Sequence, residues 1–173
     1  MSQQLTAADA KQSLTAHVET KGIEVFLKYG PQLDAPALAR LLADRAYVRY
    51  PVEIVFDATP LLAGEFASPV QKGESPEDGF TMAVHPIFAA QPEVVPALVL
   101  YQLVAVNYGE FASADDAETF GAAALGLTRD EYYALICVAA DQLGASFESE
   151  GTPERGENLP DSGCGSGCTC GGH

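Results

Sequence analysis

Basic side chains are scarce in this chain. Nine Lys and Arg stand against 24 Asp and Glu, for a formal charge of −15. Nothing resembles a phosphate-binding face, which disfavours nucleic acid as a partner. Anionic membrane surfaces are disfavoured for the same reason. Long apolar runs are missing too. Nothing approaches the roughly eighteen consecutive apolar residues that a membrane-spanning helix needs. The stretch from Met1 to Asp9 has no basic segment followed by an apolar one, so no secretory leader is expected and a cytoplasmic location is. No Gly-rich phosphate loop follows a strand-like segment, no Gly-x-Ser-x-Gly occurs, and no internal repeat is present. The first two absences weaken an enzymatic reading without excluding it.

What is present is concentrated at the C-terminus. Cysteine is rare, yet three of the four fall in the last ten residues, Cys164, Cys168 and Cys170, and the chain closes on His173. Three thiols and an imidazole are a complete four-donor set for a soft or borderline metal ion. Gly, Ser and Thr spacers let the backbone turn sharply enough to bring those donors onto one ion. Zinc suits a tetrahedral set of three sulfurs and one nitrogen. Copper(I) suits the three thiolates alone, and nickel, an iron–sulfur cluster or arsenite are further alternatives. The plainer alternative is a solvated Gly-rich tail with incidental disulfides. In a reducing compartment such spacing favours metal or redox chemistry over structural disulfides.

Hydrophobic residues make up 47% of the chain, enough for a core that folds without metal. The expectation is an α+β domain over residues 1–147, with helices packed on a small sheet around a central buried helix. Residues 148–173 form a disordered, acidic, Gly/Cys-rich tail, in which Glu148, Glu150, Glu154, Glu157 and Asp161 oppose only Arg155. Thr6 reads as the N-cap of a helix to about Lys21 with Gly22 as its stop. Residues 23–29 fit either a short helix or a strand. Asp34 and Pro36 start a helix with Leu38, Leu41, Leu42 and Ala46 on one stripe. Val52, Ile54 and Phe56 alternate as in a strand, residues 61–69 hold a second short one, and 71–79 form an exposed loop. Phe80, Met82 and Val84 alternate again, and Pro86 ends that run or marks a sheet edge.

Residues 93–109 are apolar all round after Pro96 and predict a buried helix. Ser113 with Asp116, and Thr128 with Glu131, predict two capped helices. The second carries Tyr132, Ile136, Ala139 and Leu143 on one stripe and ends near Gly144.

The order of helices, strands, an edge strand and then a buried helix ending in Asn107, Tyr108 and Gly109 resembles the minimal zincins, small zinc metallopeptidases. Their buried helix carries HExxH, with two zinc-binding His at i and i+4 and a Glu that activates water. The matching window is Tyr101-Gln102-Leu103-Val104-Ala105. The acidic run Asp115, Asp116 and Glu118 is similar to the helix that supplies a third ligand in that family. Here Tyr101 and Ala105 stand where the histidines would, and Gln102 stands where the base would. The resemblance therefore implies a body that has lost peptidase function. The plainer alternative is a core helix in which Gln102 and Asn107 make internal hydrogen bonds.

His85, with Glu110, Asp115, Asp116 or Glu118, offers a mixed nitrogen and oxygen set for zinc, manganese or iron. A surface histidine and helix-start acids explain the same residues more simply. His17 belongs on a helix surface, Cys137 reads as an inert buried thiol, and Tyr132 and Tyr133 read as packing residues. Three functions follow in order. The first is a metal-binding protein that handles or delivers a thiophilic ion to a protein partner through Cys164, Cys168, Cys170 and His173. The second is a metal-dependent hydrolase with a site near His85 and the Gln102 helix. The third is a redox-sensing interaction protein.

Overall fold

The computed structural model describes the backbone of residues 7–149 and the side-chain surroundings of residues 10–144. Within them the chain is α+β: five α-helices and one three-stranded sheet. Helix α1 spans Ala7–Tyr29 without a break at Gly22. Thr6, its expected cap, lies outside the described residues. Gly22 is there for close approach. A methyl group at that position would stand 2.6 Å from Ala123 Cβ and 2.7 Å from the Phe120 carbonyl oxygen. Helix α1 ends instead at Gly30, whose φ of 87° takes the left-handed turn and whose N–H donates to the Phe26 carbonyl at 2.9 Å.

Helix α2 spans Ala35–Ala43, with Pro36 in its first turn and the Asp34 carboxylate accepting from Ala37 N at 2.8 Å. Leu38, Leu41 and Leu42 are buried as expected, whereas Ala46 lies beyond the helix and is exposed. Strands β1 (Val52–Phe56), β2 (Ala67–Gln71) and β3 (Phe80–Val84) follow. The loop before β3 includes a 3₁₀ turn at Pro76–Asp78 capped by Ser75. The sheet order is β1-β3-β2, with β1 parallel and β2 antiparallel to β3. Strand β3 is therefore central, so of the two readings of Pro86 the structure keeps the end of the run and not the sheet edge. Pro86 marks only its end, by opening a 3₁₀ turn over Pro86–Ala90.

Helix α3 (Val95–Tyr108) is the hub. It packs on β2 and β3 on one side and on α4 and α5 on the other. That position explains a sequence apolar all round, since no face of the helix is left wholly to water. Leu98, Val99, Leu100 and Leu103 are fully buried, as are Met82 and Val84 of the central strand. Helix α4 (Ala114–Leu125) opens with the Ser113–Asp116 capping box and closes at Gly126 in the left-handed conformation. Helix α5 (Arg129–Ser149) opens with Thr128 and Glu131 capping each other. Its stripe of Tyr132, Ile136, Ala139 and Leu143 is buried. The helix continues past Gly144 and past residue 147, to Ser149. No helix among the described residues is long and apolar enough to cross a membrane.

Candidate functional site

The zincin-like window lies on α3, where the sequence put it. Tyr101 is half-buried with its ring edge-on to Phe66, centroids 5.6 Å apart. Burial, and then the Glu118 carboxylate, raise its phenol pKa above the ordinary value of 10.0. Gln102 donates its amide to the Ala67 carbonyl at 2.7 Å. Ala105 is exposed. A protonated phenol, an amide already committed to strand β2 and a methyl group do not fit a zinc ion. Gln102 and Asn107 instead act as the internal hydrogen bonds expected of a core helix. Asn107 accepts from Arg49 N at 2.8 Å and donates to the Tyr47 carbonyl at 2.7 Å.

The residues of the second candidate site have other work. His85 caps the 3₁₀ turn that Pro86 opens, its Nδ1 accepting from Ile87 N at 3.3 Å. Asp116 is fully buried and accepts from Ser113 Oγ at 2.6 Å and Thr15 Oγ1 at 2.7 Å. Burial alone would raise its pKa, but the hydrogen bonds from Ser113 and Thr15 outweigh it and lower the pKa below 3.8. Glu118 holds the Arg129 guanidinium at 2.8 Å, and Asp115 pairs with the same group. Glu110 is exposed on a 3₁₀ turn, Gly109–Phe111. Among the described residues, no three His, Cys, Asp or Glu side chains converge as metal ligands. Cys164, Cys168, Cys170 and His173 lie outside the described residues.

The remaining candidates divide. His17 is exposed, with its ring edge-on to Tyr108 at 5.9 Å. Tyr132 is a packing residue: it is fully buried and donates to the Ala97 carbonyl at 2.7 Å. Tyr133 is not; it is 54% exposed. Cys137 is half-buried, not buried, because it flanks the core stripe of α5. A hydrogen bond with this thiol raises the pKa of Tyr133.

One feature escaped the sequence reading. A groove of about 630 Å³ runs between α2, β1 and the start of α3, walled by Leu38, Leu42, Val52, Ile54, Phe56 and Val95. The volume is that of a ligand-sized cleft. The alternation of Val52, Ile54 and Phe56 was legible, but alternation does not tell which side of a strand stays open. No protein-family model, curated protein or solved structure matches this chain.

Proposed function

We propose that this protein binds a thiophilic metal ion through Cys164, Cys168, Cys170 and His173, and buffers it or delivers it to a partner protein. The observation that carries this reading is donor density. Three of four cysteines and one of three histidines share the last ten residues. Zinc is the first choice, because three thiolates and one imidazole meet its tetrahedral preference. Copper(I), nickel and an iron–sulfur cluster are the remaining choices, separated by the ion recovered. Ordering a Gly-rich arm around an ion costs conformational entropy, which lowers affinity and favours capture and release over permanent support. The cytoplasm suits the site, because thiols there stay reduced. A body that docks or positions, and does not catalyse, is supported by the side chains of the zincin-like window. Tyr101, Gln102 and Ala105 offer no open metal ligand and no general base.

The test is metal content by mass spectrometry on untagged protein purified under reducing conditions without chelator. Full-length chain is compared with a chain ending at Asp161. About one ion per chain in the full-length protein alone is expected. An ion retained by the shorter chain would move the site into the body and favour the hydrolase reading. Reversible disulfides without stoichiometric metal would favour redox sensing.

A further inference from the structure

The two edges of the sheet are unlike. On β2, the Phe66 carbonyl accepts from His85 N at 2.8 Å and Lys72 N donates to the Gly79 carbonyl at 2.9 Å. Antiparallel alternation then turns the backbone groups of Ala67, Pro69 and Gln71 outward. That edge is interrupted at two of its outward groups. The Ala67 carbonyl is taken by Gln102 at 2.7 Å, and Pro69 has no N–H to offer. On β1, the Pro51 carbonyl accepts from Phe80 N at 2.7 Å and Asp57 N donates to the Val84 carbonyl at 3.1 Å. The odd-numbered residues therefore face β3, and the N–H and C=O of Val52, Ile54 and Phe56 point away from it. No strand among the described residues pairs with that side.

The side chains of the same three residues wall the apolar groove. By register they share a sheet face with Met82 and Val84, the face that turns toward the core. A strand laid beside β1 would present alternate side chains on that face, in the space between β1 and α2. One charged residue, Arg45, borders the groove. It is exposed, donates to the Val48 carbonyl at 3.2 Å and makes no ion pair among the described residues. A guanidinium with no ion pair among the described residues, beside an otherwise apolar cleft, complements a carboxylate locally.

We propose that the free edge of β1 and the groove beside it bind an extended peptide segment of another protein, which adds as a fourth strand, seats apolar side chains between β1 and α2 and sets a carboxylate on Arg45. Main-chain pairing supplies affinity, and the groove and Arg45 supply selectivity. Pairing of β1 with β1 of a second copy is disfavoured, because each copy carries the same large negative charge. The inference stands independently of the metal arm.

The test is panning of a phage-displayed random peptide library on the full-length protein, followed by amide exchange with the enriched peptide, synthesised. Enriched sequences should alternate apolar residues and carry an acidic one. The peptide should slow exchange of the Val52, Ile54 and Phe56 amides about tenfold or more, and N-methylation of its alternate amides should weaken binding by a similar factor. Arg45→Glu, a surface change, should weaken binding about tenfold while the thermal midpoint stays put. Failure to enrich any sequence would overturn the proposal, as would equal binding of the N-methylated peptide. A dimer in sedimentation that Phe56→Pro disperses would assign the edge to a second copy instead.

Discussion

Thr15 and Asp116 are 101 residues apart in the chain, and Thr15 Oγ1 donates to Asp116 Oδ1 at 2.7 Å. The same carboxylate is the third residue of α4 and closes its capping box with Ser113. One buried side chain thus starts α4 and fastens α1 to it.

Asp116→Ala should destabilise the fold by about 1–3 kcal/mol in urea denaturation, from loss of the cap and of a buried acceptor. The pH dependence has a definite sign. Folding lowers the Asp116 pKa below 3.8, so its contribution is complete above the unfolded value and is lost as pH falls through the folded one. The gap between wild type and Asp116→Ala should narrow below about pH 4. A constant gap from pH 7 to pH 2 would refute the assignment.

Asn107 ties α3 to the turn before β1 by bonding both Tyr47 and Arg49 backbone groups. Asn107→Ala leaves a donor and an acceptor unpaired at a site only 8% exposed. The expected cost is about 2 kcal/mol, read as a fall of about 4–8 °C in thermal midpoint. A fall under about 1 °C would mean that water replaces the amide at no cost.

Two glycines inside helices should respond to alanine with opposite signs. At Gly144 an added methyl meets nothing within 4 Å, so Gly144→Ala should stabilise by about 0.5–1 kcal/mol through helix propensity. At Gly22 the methyl collides with Ala123 and the Phe120 carbonyl. Gly22→Ala should therefore destabilise by about 1–3 kcal/mol. Chemical denaturation of both variants decides, and a stabilising Gly22→Ala would show that α1 and α4 part easily.

Asp44 accepts from Lys28 Nζ at 2.6 Å, Tyr29 Oη at 2.7 Å and Ala46 N at 3.0 Å. These bonds, Lys28 first, lower its pKa from 3.8 to about 2. Carboxyl chemical shifts followed by NMR should show Asp44 titrating at about pH 2, well below its ordinary value of 3.8. Lys28→Met should raise its midpoint toward 3.8. An unchanged midpoint in that variant would transfer the effect to Tyr29 and the backbone.

Much of the fold was legible because its signals are local. The capping pairs Ser113–Asp116 and Thr128–Glu131 act across three residues, and the structure keeps both. Alternation at 52, 54 and 56, and again at 80, 82 and 84, fixes strand character within one segment. The all-round apolar run of α3 announced a central helix, and Gln102 and Asn107 on it announced internal hydrogen bonds. Of the candidate site, the sequence supplied the cluster Cys164, Cys168, Cys170 and His173, whose donors fall within the last ten residues.

What tertiary structure decided depends on partners far away in sequence. Gly22 looked like a helix stop because a glycine without its neighbour has only its own conformational freedom; helix α4, a hundred residues on, makes it a contact point. Pro86 was compatible with the end of a strand or with a sheet edge; β3 became central because β1 and β2 pair with its two sides. Capping of the Ala67 carbonyl on the β2 edge needs Gln102 from α3, and the open edge of β1 needs α2 set back far enough to leave a groove. Periodicity and capping act over a turn or a strand and are written into the residues themselves. Sheet order, edge exposure and close approach exist only once separate segments have been packed together.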